Sequence, residues 1–253
     1  MQGKGLRTRY IISFIGILAV LIALVSNFFL RSKKTTITNL STNKHQVMKK
    51  LFLCSSFADV ASLLPQFAEG GLKDKTVAFI PTASIHEDYK QYVEDGRKAL
   101  KNYGLIVNEL EITQVSKEDI TRILSRCDYI YITGGNTFFL IQELRKKGID
   151  TLLVQLVNDG KPYIGESAGA MIMAPDIKYA QDMDDHLAHT PHFEDFGALH
   201  TVDFYPVPHY QSYPFEEVTQ GIMRKYKHIK LIPITNEQAI EVKGEEGRVI
   251  SRK

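Results

Sequence analysis

Lys161-Pro-Tyr-Ile-Gly-Glu-Ser-Ala-Gly-Ala-Met171 is the stretch whose reading decides the fold. A short apolar approach enters Gly165-Glu166-Ser167-Ala168-Gly169 and runs on into the helix-compatible Ala170-Met-Ile-Met173, the pattern of a sharp strand-to-helix turn with a serine at its tip. Side chains at the flanking glycines would collide with neighbouring backbone in so tight a turn. The helix that follows aims its free N–H groups and positive dipole end back at Ser167, an environment that favours developing negative charge on oxygen. An ordinary Gly-rich turn in an α/β domain has the same spacing, so this motif alone does not settle the chemistry.

A second stretch lies upstream, Asp128-Tyr-Ile-Tyr-Ile-Thr-Gly-Gly-Asn-Thr137, where an apolar β-type run ends in Gly134-Gly135-Asn136. A glycine pair at the carboxyl end of a strand leaves backbone N–H groups free, and one of them with the N–H of Ala168 would make a two-donor oxyanion hole. The intervening and flanking sequence alternates buried β runs with helical spacing. Leu51–Cys54, Thr76–Ile80, a strand beginning at Leu105, and Asp128–Thr133 read as strands. Asp59–Leu64, Tyr89–Tyr103, Ile120–Leu124, Phe138–Lys147 and Asp150–Asn158 read as helices, with Ser116 to Asp119 as a capping signal. Leu199–Val207 and Lys230–Ile234 read as later strands with a helix over Glu217–Tyr226 between them, and Ala239–Val242 with Arg248–Ile250 as a terminal hairpin. Alternation of this kind predicts a largely parallel sheet with helices on both faces and function at the strands' carboxyl ends, where both special loops fall.

A serine hydroxyl is a weak nucleophile near neutral pH and needs a base, which in turn needs a group to hold its tautomer. Of eight histidines, His209 in Tyr205-Pro-Val-Pro-His-Tyr210 is best placed, after a β-type run and stiffened by prolines. His45 and His228 lie in polar stretches, and His86 starts a helix. Two acids compete for the third place, Glu237 in Thr235-Asn-Glu-Gln238 and Asp182 in Gln181-Asp-Met183. Glu237 is preferred because a short turn between strands is firmer than the long irregular stretch from Asp176 to Gly197. His186, His189 and His192, with Asp182, Asp184 and Asp185 nearby, match no metal-ligand spacing, and Pro191 breaks the helix that would align them, so no metal site is expected. Glu166 reads equally as a buried structural carboxylate or as a contact to a substrate amine.

Gly-Glu-Ser-Ala-Gly-Ala together with Thr-Gly-Gly-Asn-Thr-Phe closely resembles the peptidase E (aspartyl dipeptidase) family of serine peptidases, which includes cyanophycinase-like enzymes; the resemblance runs from about residue 48 to residue 242. It implies an α/β three-layer sandwich of the class I glutamine amidotransferase-like kind, with serine where the amidotransferases carry cysteine. It also implies a cofactor-free hydrolase of small peptides that passes through an acyl-enzyme on Ser167, with His209 matching the family's Pro-His-Phe element and Gly135 with Ala168 holding the oxyanion. Glu237 matches the family's Pro-Glu-Gly position and Asp182 its Asn-Asp-Met element. Asn136 and Asp182 are expected against the substrate. An acid that follows the histidine in chain order, as Glu237 does, separates this plan from the α/β-hydrolases. One departure concerns specificity: aspartyl dipeptidases place an arginine after the catalytic histidine, and Ser212–Tyr226 offers only Arg224, so an Asp-Xaa preference is not expected to carry over. A non-catalytic, membrane-tethered binding module and an esterase or amidase on non-peptide acyl substrates are the alternatives.

The 253 residues suffice for one catalytic domain with appendages, and 44% hydrophobic composition supplies its core. Residues 1–47 hold seven Lys or Arg and no acid, so a total charge of +2 leaves −5 for residues 48–253. The mildly acidic balance of residues 48–253 does not suggest a nucleic-acid-binding face, and no nucleic-acid partner is expected. Tyr10 to Leu30 is a run of 21 residues without a charge, about 30 Å long as a helix, and predicts a single transmembrane anchor followed by a polar tether to residue 47. A cleaved signal peptide is the rival reading, and Val25-Ser-Asn27 is a poor cleavage site for it. Lys4, Arg7 and Arg9 before the run balance Arg31, Lys33 and Lys34 after it, so orientation stays open, as does oligomeric state. If Met48 is the true start, the domain is cytoplasmic. Cys54 and Cys127 are the only cysteines and read as buried thiols rather than a disulfide framework.

Overall fold

Side-chain alternation along the central strands builds two cores, one on each face of a sheet. In the computed structural model, which describes residues 48–187 and 189–252, the strands β1 (Lys50–Cys54), β2 (Thr76–Ile80), β3 (Ile106–Glu109), β4 (Tyr129–Ile132) and β5 (Tyr163–Glu166) run parallel in the order β3-β2-β4-β5-β1. Leu51, Leu53, Ala78, Ile80, Ile130 and Ile132 face one core, while Phe52, Cys54, Val77, Phe79, Tyr129 and Tyr131 face the other. Every residue of β4 and β5 is buried, as a central parallel strand covered on both faces requires. Fully burying each of these large apolar side chains contributes roughly 1.5–3 kcal/mol.

Helices α1 (Phe57–Val60), α2 (Leu64–Phe67) and α3 (Gln91–Asn102) supply the second core with Phe57, Val60, Leu64, Phe67, Val93 and Leu100. Helices α4 (Lys117–Arg126), α5 (Thr137–Lys147), α6 (Asp150–Asn158), α7 (Ala168–Met171) and α8 (Glu216–Lys225) pack on the first. The expected α/β layering with a mostly parallel sheet is therefore what the chain forms. The caps follow the sequence signals. Ser116 Oγ accepts from the Asp119 N–H at 3.2 Å, and α5 ends on Gly148, whose φ of 61° suits a residue without a Cβ. The helix expected from Asp59 onward is broken into short turns because Pro65 enters at the start of α2 and offers no N–H.

Two strands lie apart from this sheet. β6 (Tyr205–Val207) and β7 (Leu231–Pro233) form a parallel pair of their own, while β8 (Gln238–Lys243) and β9 (Glu246–Ser251) extend the main sheet antiparallel beyond β1. The strand expected from Leu199 is confined to Tyr205–Val207, because the N–H groups of Leu199 and Thr201 turn back to the carbonyls of Ile172 and Met173 after α7.

The expectation of a transmembrane helix at 10–30, and with it a membrane location and a membrane partner, requires correction. That segment lies outside the described residues, and among the described residues no helix is long and apolar enough to cross a membrane. The longest of them, α3, has 12 residues and reaches about 18 Å against a hydrocarbon core of about 30 Å.

The close approach of α7 to β4 and β5 rests on two glycines. A Cβ at Gly165 would run into the Gly169 carbonyl, and one at Gly169 into the Ile132 carbonyl. Gly165→Ala and Gly169→Ala are expected to destabilise the fold by about 1–3 kcal/mol or more in urea unfolding. Gly221→Ala, in α8 with open space around it, is expected to gain about 0.5–1 kcal/mol.

Candidate active site

β5 ends at Glu166, and the chain turns at Ser167 with φ 46° and ψ −107°, a conformation that costs about 1–3 kcal/mol for a residue with a side chain. Backbone bonds hold it there. The Ser167 N–H donates to the Cys54 carbonyl at the end of β1 at 2.8 Å, and the Ser167 carbonyl accepts from the N–H groups of Ala170 and Met171, both at 2.9 Å. Parallel pairing of β1 with β5, with Cys54 opposite Glu166, places that acceptor under the turn.

His209 arrives from the separate strand pair. It stands two residues past β6, and Asn236 stands three past β7, so the parallel pairing of β6 with β7 brings the two together. His209 Nε2 lies 3.0 Å from Ser167 Oγ, and His209 Nδ1 lies 2.8 Å from Asn236 Oδ1. An amide oxygen only accepts, so Nδ1 carries the proton and Nε2 presents its lone pair to the serine hydroxyl. The backbone of His209 is also left-handed, at φ 60°. Its N–H donates to Ser55 Oγ at 3.0 Å, and Ser55 Oγ donates in turn to the Ile234 carbonyl at 3.0 Å. Phe215 stacks on the imidazole at 4.8 Å between centroids. Burial pushes the His209 pKa below its usual 6.5, against a smaller upward pull from the Asn236 hydrogen bond, so the ring is neutral at pH 7.

The Gly134-Gly135 loop follows β4 and closes on the serine: a Cβ on Gly134 would sit 3.1 Å from Ser167 Cβ. Gly135 has φ 126°, and a Cβ there would strike the Ala83 carbonyl, so no other residue fits. The loop is pinned by the Asn136 N–H donating to Ala83 O at 2.9 Å. Among the described residues no acceptor takes the N–H of Gly135 or of Ala168, which leaves both amides available to an oxyanion.

Ser167, His209, Asn236, Glu166, Gly134 and Gly135 share a cleft of about 600 Å³. Its lining also carries the carboxylates of Asp59, Glu87, Asp95 and Asp184, and no lysine or arginine. Asp184 is held by the Thr137 N–H at 2.8 Å, and burial raises its pKa to about 6.

Three sequence-predicted residues stand elsewhere. Glu237 does not reach the imidazole: its side chain is 69% exposed and faces Arg252 at 3.5 Å. Asp182 pairs with Lys225 at 2.7 Å outside the cleft lining. Asn136 spends its side chain internally, its Oδ1 capping α5 through the Phe139 N–H at 2.9 Å and its Nδ2 donating to the Asp185 carbonyl at 3.1 Å. Arg224 is exposed on α8. His186 packs on Phe138 and Phe196, and His189 stacks on His86. Asn236 and Ser55 were missed. Asn236 adjoins the favoured Glu237, and only the phase of the turn, which points neighbouring side chains apart, decides between them.

The sequence pattern of peptidase family S51 matches residues 51–250. An uncharacterized peptidase of Pasteurella multocida is 50% identical over 199 residues, 78% of this chain and 95% of that one. An uncharacterized peptidase of Listeria monocytogenes is 48% identical over 200 residues, 79% and 97% of the two chains. Peptidase E of a Nostoc species is 30% identical over 172 residues, 65% of this chain and 66% of that one. Among solved structures, a peptidase E candidate from Listeria monocytogenes EGD-e superposes with a TM-score of 0.78 at 47% identity, covering 81% of this chain and 100% of that one.

The imidazole geometry has a direct readout. In an NMR titration, His209 is expected to titrate below 6.5. Asn236→Asp, which puts a carboxylate against Nδ1, is expected to move that midpoint upward, whereas Glu237→Gln leaves it in place.

Proposed function

The chain belongs to peptidase family S51 and is a serine peptidase, and on that premise we propose that it hydrolyses small peptides, dipeptides first, through an acyl-enzyme on Ser167. The observation that carries the reading is the 3.0 Å approach of Ser167 Oγ to His209 Nε2 on the floor of the cleft. Ser167 Oγ attacks the scissile carbonyl carbon while His209 Nε2 takes its proton, and the carbonyl oxygen turns toward the N–H groups of Gly135 and Ala168. The tetrahedral adduct collapses as the imidazolium returns the proton to the leaving amine. Water then repeats the sequence, with His209 again as base, and frees the acid.

Asn236 fills the orienting place. Being neutral, it fixes the tautomer but lends the imidazolium less electrostatic support than a carboxylate would, which matches the lowered pKa of His209. Such a base works best from neutral pH upward.

The ring of carboxylates around the cleft argues for substrates that bring positive charge, a free amino terminus or a basic side chain. It argues against an aspartyl dipeptide, whose acidic side chain would meet Asp59, Glu87 and Asp95 with no cation between them. The alternatives of a binding module and of an esterase gain no support from this lining.

Fluorophosphonate is expected to label wild type and not Ser167→Ala. In a dipeptide library, Lys-Xaa and Ala-Xaa are expected to be cleaved at least about tenfold faster by kcat/KM than Asp-Xaa, the discrimination that about 1.4 kcal/mol of charge repulsion gives. Absence of a Ser167-dependent adduct contradicts the hydrolase reading, and preference for Asp-Xaa contradicts the charge reading.

A further inference from the structure

Glu166 is 2% exposed, stands directly before the nucleophile, and takes no part in the proton transfers above. A carboxylate so far from water is costly unless donors meet it, and here each oxygen has one. Oε1 accepts from the Phe57 N–H at the start of α1 at 2.8 Å. Oε2 accepts from the Tyr131 hydroxyl on β4 at 2.8 Å. The backbone of Gly134, in the loop opposite Ser167, lies near enough to favour its charged form. One buried carboxylate at the end of β5 thus ties α1 and β4, which runs directly into the Gly134-Gly135 loop, to the strand that carries Ser167. Tyr131 is itself fixed, stacked on Phe79 and packed edge-on against Phe57, and its hydroxyl occupies the space where a side chain at Gly96 would stand, 2.7 Å from an added Cβ.

We propose that Glu166 is a positioning residue, an anchor that sets the Gly134-Gly135 loop at the distance from Ser167 that oxyanion stabilisation requires. The proposal rests on the reading of Ser167 as the nucleophile. Removing the anchor lets the loop relax, and the amide of Gly135 drifts from the developing charge.

The anchor works in its ionised form, because a carboxylate accepts from both the Phe57 N–H and the Tyr131 hydroxyl; on protonation one oxygen becomes a donor and an existing bond is weakened or lost. Burial raises the Glu166 pKa from 4.5 to about 7, the bonds from Phe57 and Tyr131 and the nearby backbone of Gly134 oppose the rise, and the charge of Asp59 on α1 adds to it. The other titratable groups facing it are Cys54 on β1, Tyr131 on β4 and Tyr92 on α3, all held neutral by burial. Two opposite trends follow. Activity rises with pH through about 7 as the anchor ionises. Stability contributed by this group falls over the same range, because a carboxyl whose folded pKa lies above its unfolded value binds more protons when folded from 4.5 to about 7.

The test measures the rate of phosphonylation by a fluorophosphonate probe, and the thermal midpoint, from pH 5 to 9 in wild type, Glu166→Gln, Tyr131→Phe and Ser167→Ala. Glu166→Gln is expected to slow phosphonylation about 10- to 100-fold at pH 8, less than the roughly 100- to 1,000-fold seen when an oxyanion donor is removed outright because the amide is displaced and not lost, and to erase the rise near pH 7, leaving the lower limb of His209. Its thermal midpoint is expected to gain on wild type as pH increases. Tyr131→Phe removes a donor that favours the carboxylate and is expected to move the rise to higher pH. A wild-type rate and limb in Glu166→Gln overturns the proposal, as does a uniform loss of rate with the limb unmoved. Should Glu166→Gln fail to fold, an unmoved limb in Tyr131→Phe overturns it. Labelling of Ser167→Ala contradicts the reading of the nucleophile instead, independently of Glu166.

Discussion

A single backbone constraint organises this protein: Ser167 is forced into a left-handed turn at the carboxyl edge of a buried parallel sheet. Such a conformation persists only where its surroundings outweigh its cost. Here they do so through the hydrogen bond to Cys54 at the end of β1 and through two glycines that let α7 settle against β4 and β5. The two apolar cores on the faces of the sheet hold those strands in register. Stability of the sandwich and reactivity of the serine are thus two consequences of one packing arrangement.

The remaining parts of the site converge on that turn from outside the main sheet. The small β6–β7 pair delivers His209 and Asn236 side by side, and Ser55 at the end of β1 ties the His209 backbone to the sheet. His209 and Asn236 follow paired strands, and that pairing sets their mutual geometry. Asn236, the partner of the imidazole, is uncharged, and burial lowers the pKa of His209. The wall of the cleft is acidic in contrast.

Much of this was legible in the sequence because the decisive features are local. Gly165-x-Ser167-x-Gly169 and Gly134-Gly135 specify their turns through backbone sterics, and the apolar runs of β1, β2, β4 and β5 are buried on both faces. His209, which the structure sets 3.0 Å from Ser167 Oγ, could be singled out as a candidate because prolines and a β run frame it. The imidazole's contact with Asn236 was not legible: Asn236 and Glu237 are adjacent, and the direction of each side chain depends on how the turn after β7 packs against Ser212 and Gln238. Nor was the fate of Asn136, whose amide caps α5, or of Asp182, drawn away by Lys225 on α8. Those choices are made by long-range contacts, which spacing does not encode. The apolar run at 10–30 lies outside the described residues.

The central claim is that folding alone places the Ser167 hydroxyl between one imidazole and two free amides. A crystal structure of the enzyme after reaction with a phosphonate inhibitor tests this most directly. The account predicts phosphorus bonded to Ser167 Oγ, a phosphonyl oxygen within hydrogen-bond distance of the N–H groups of Gly135 and Ala168, and His209 still held by Asn236. An adduct whose oxygen points away from both amides, or an imidazole swung out of reach of Ser167, would contradict it.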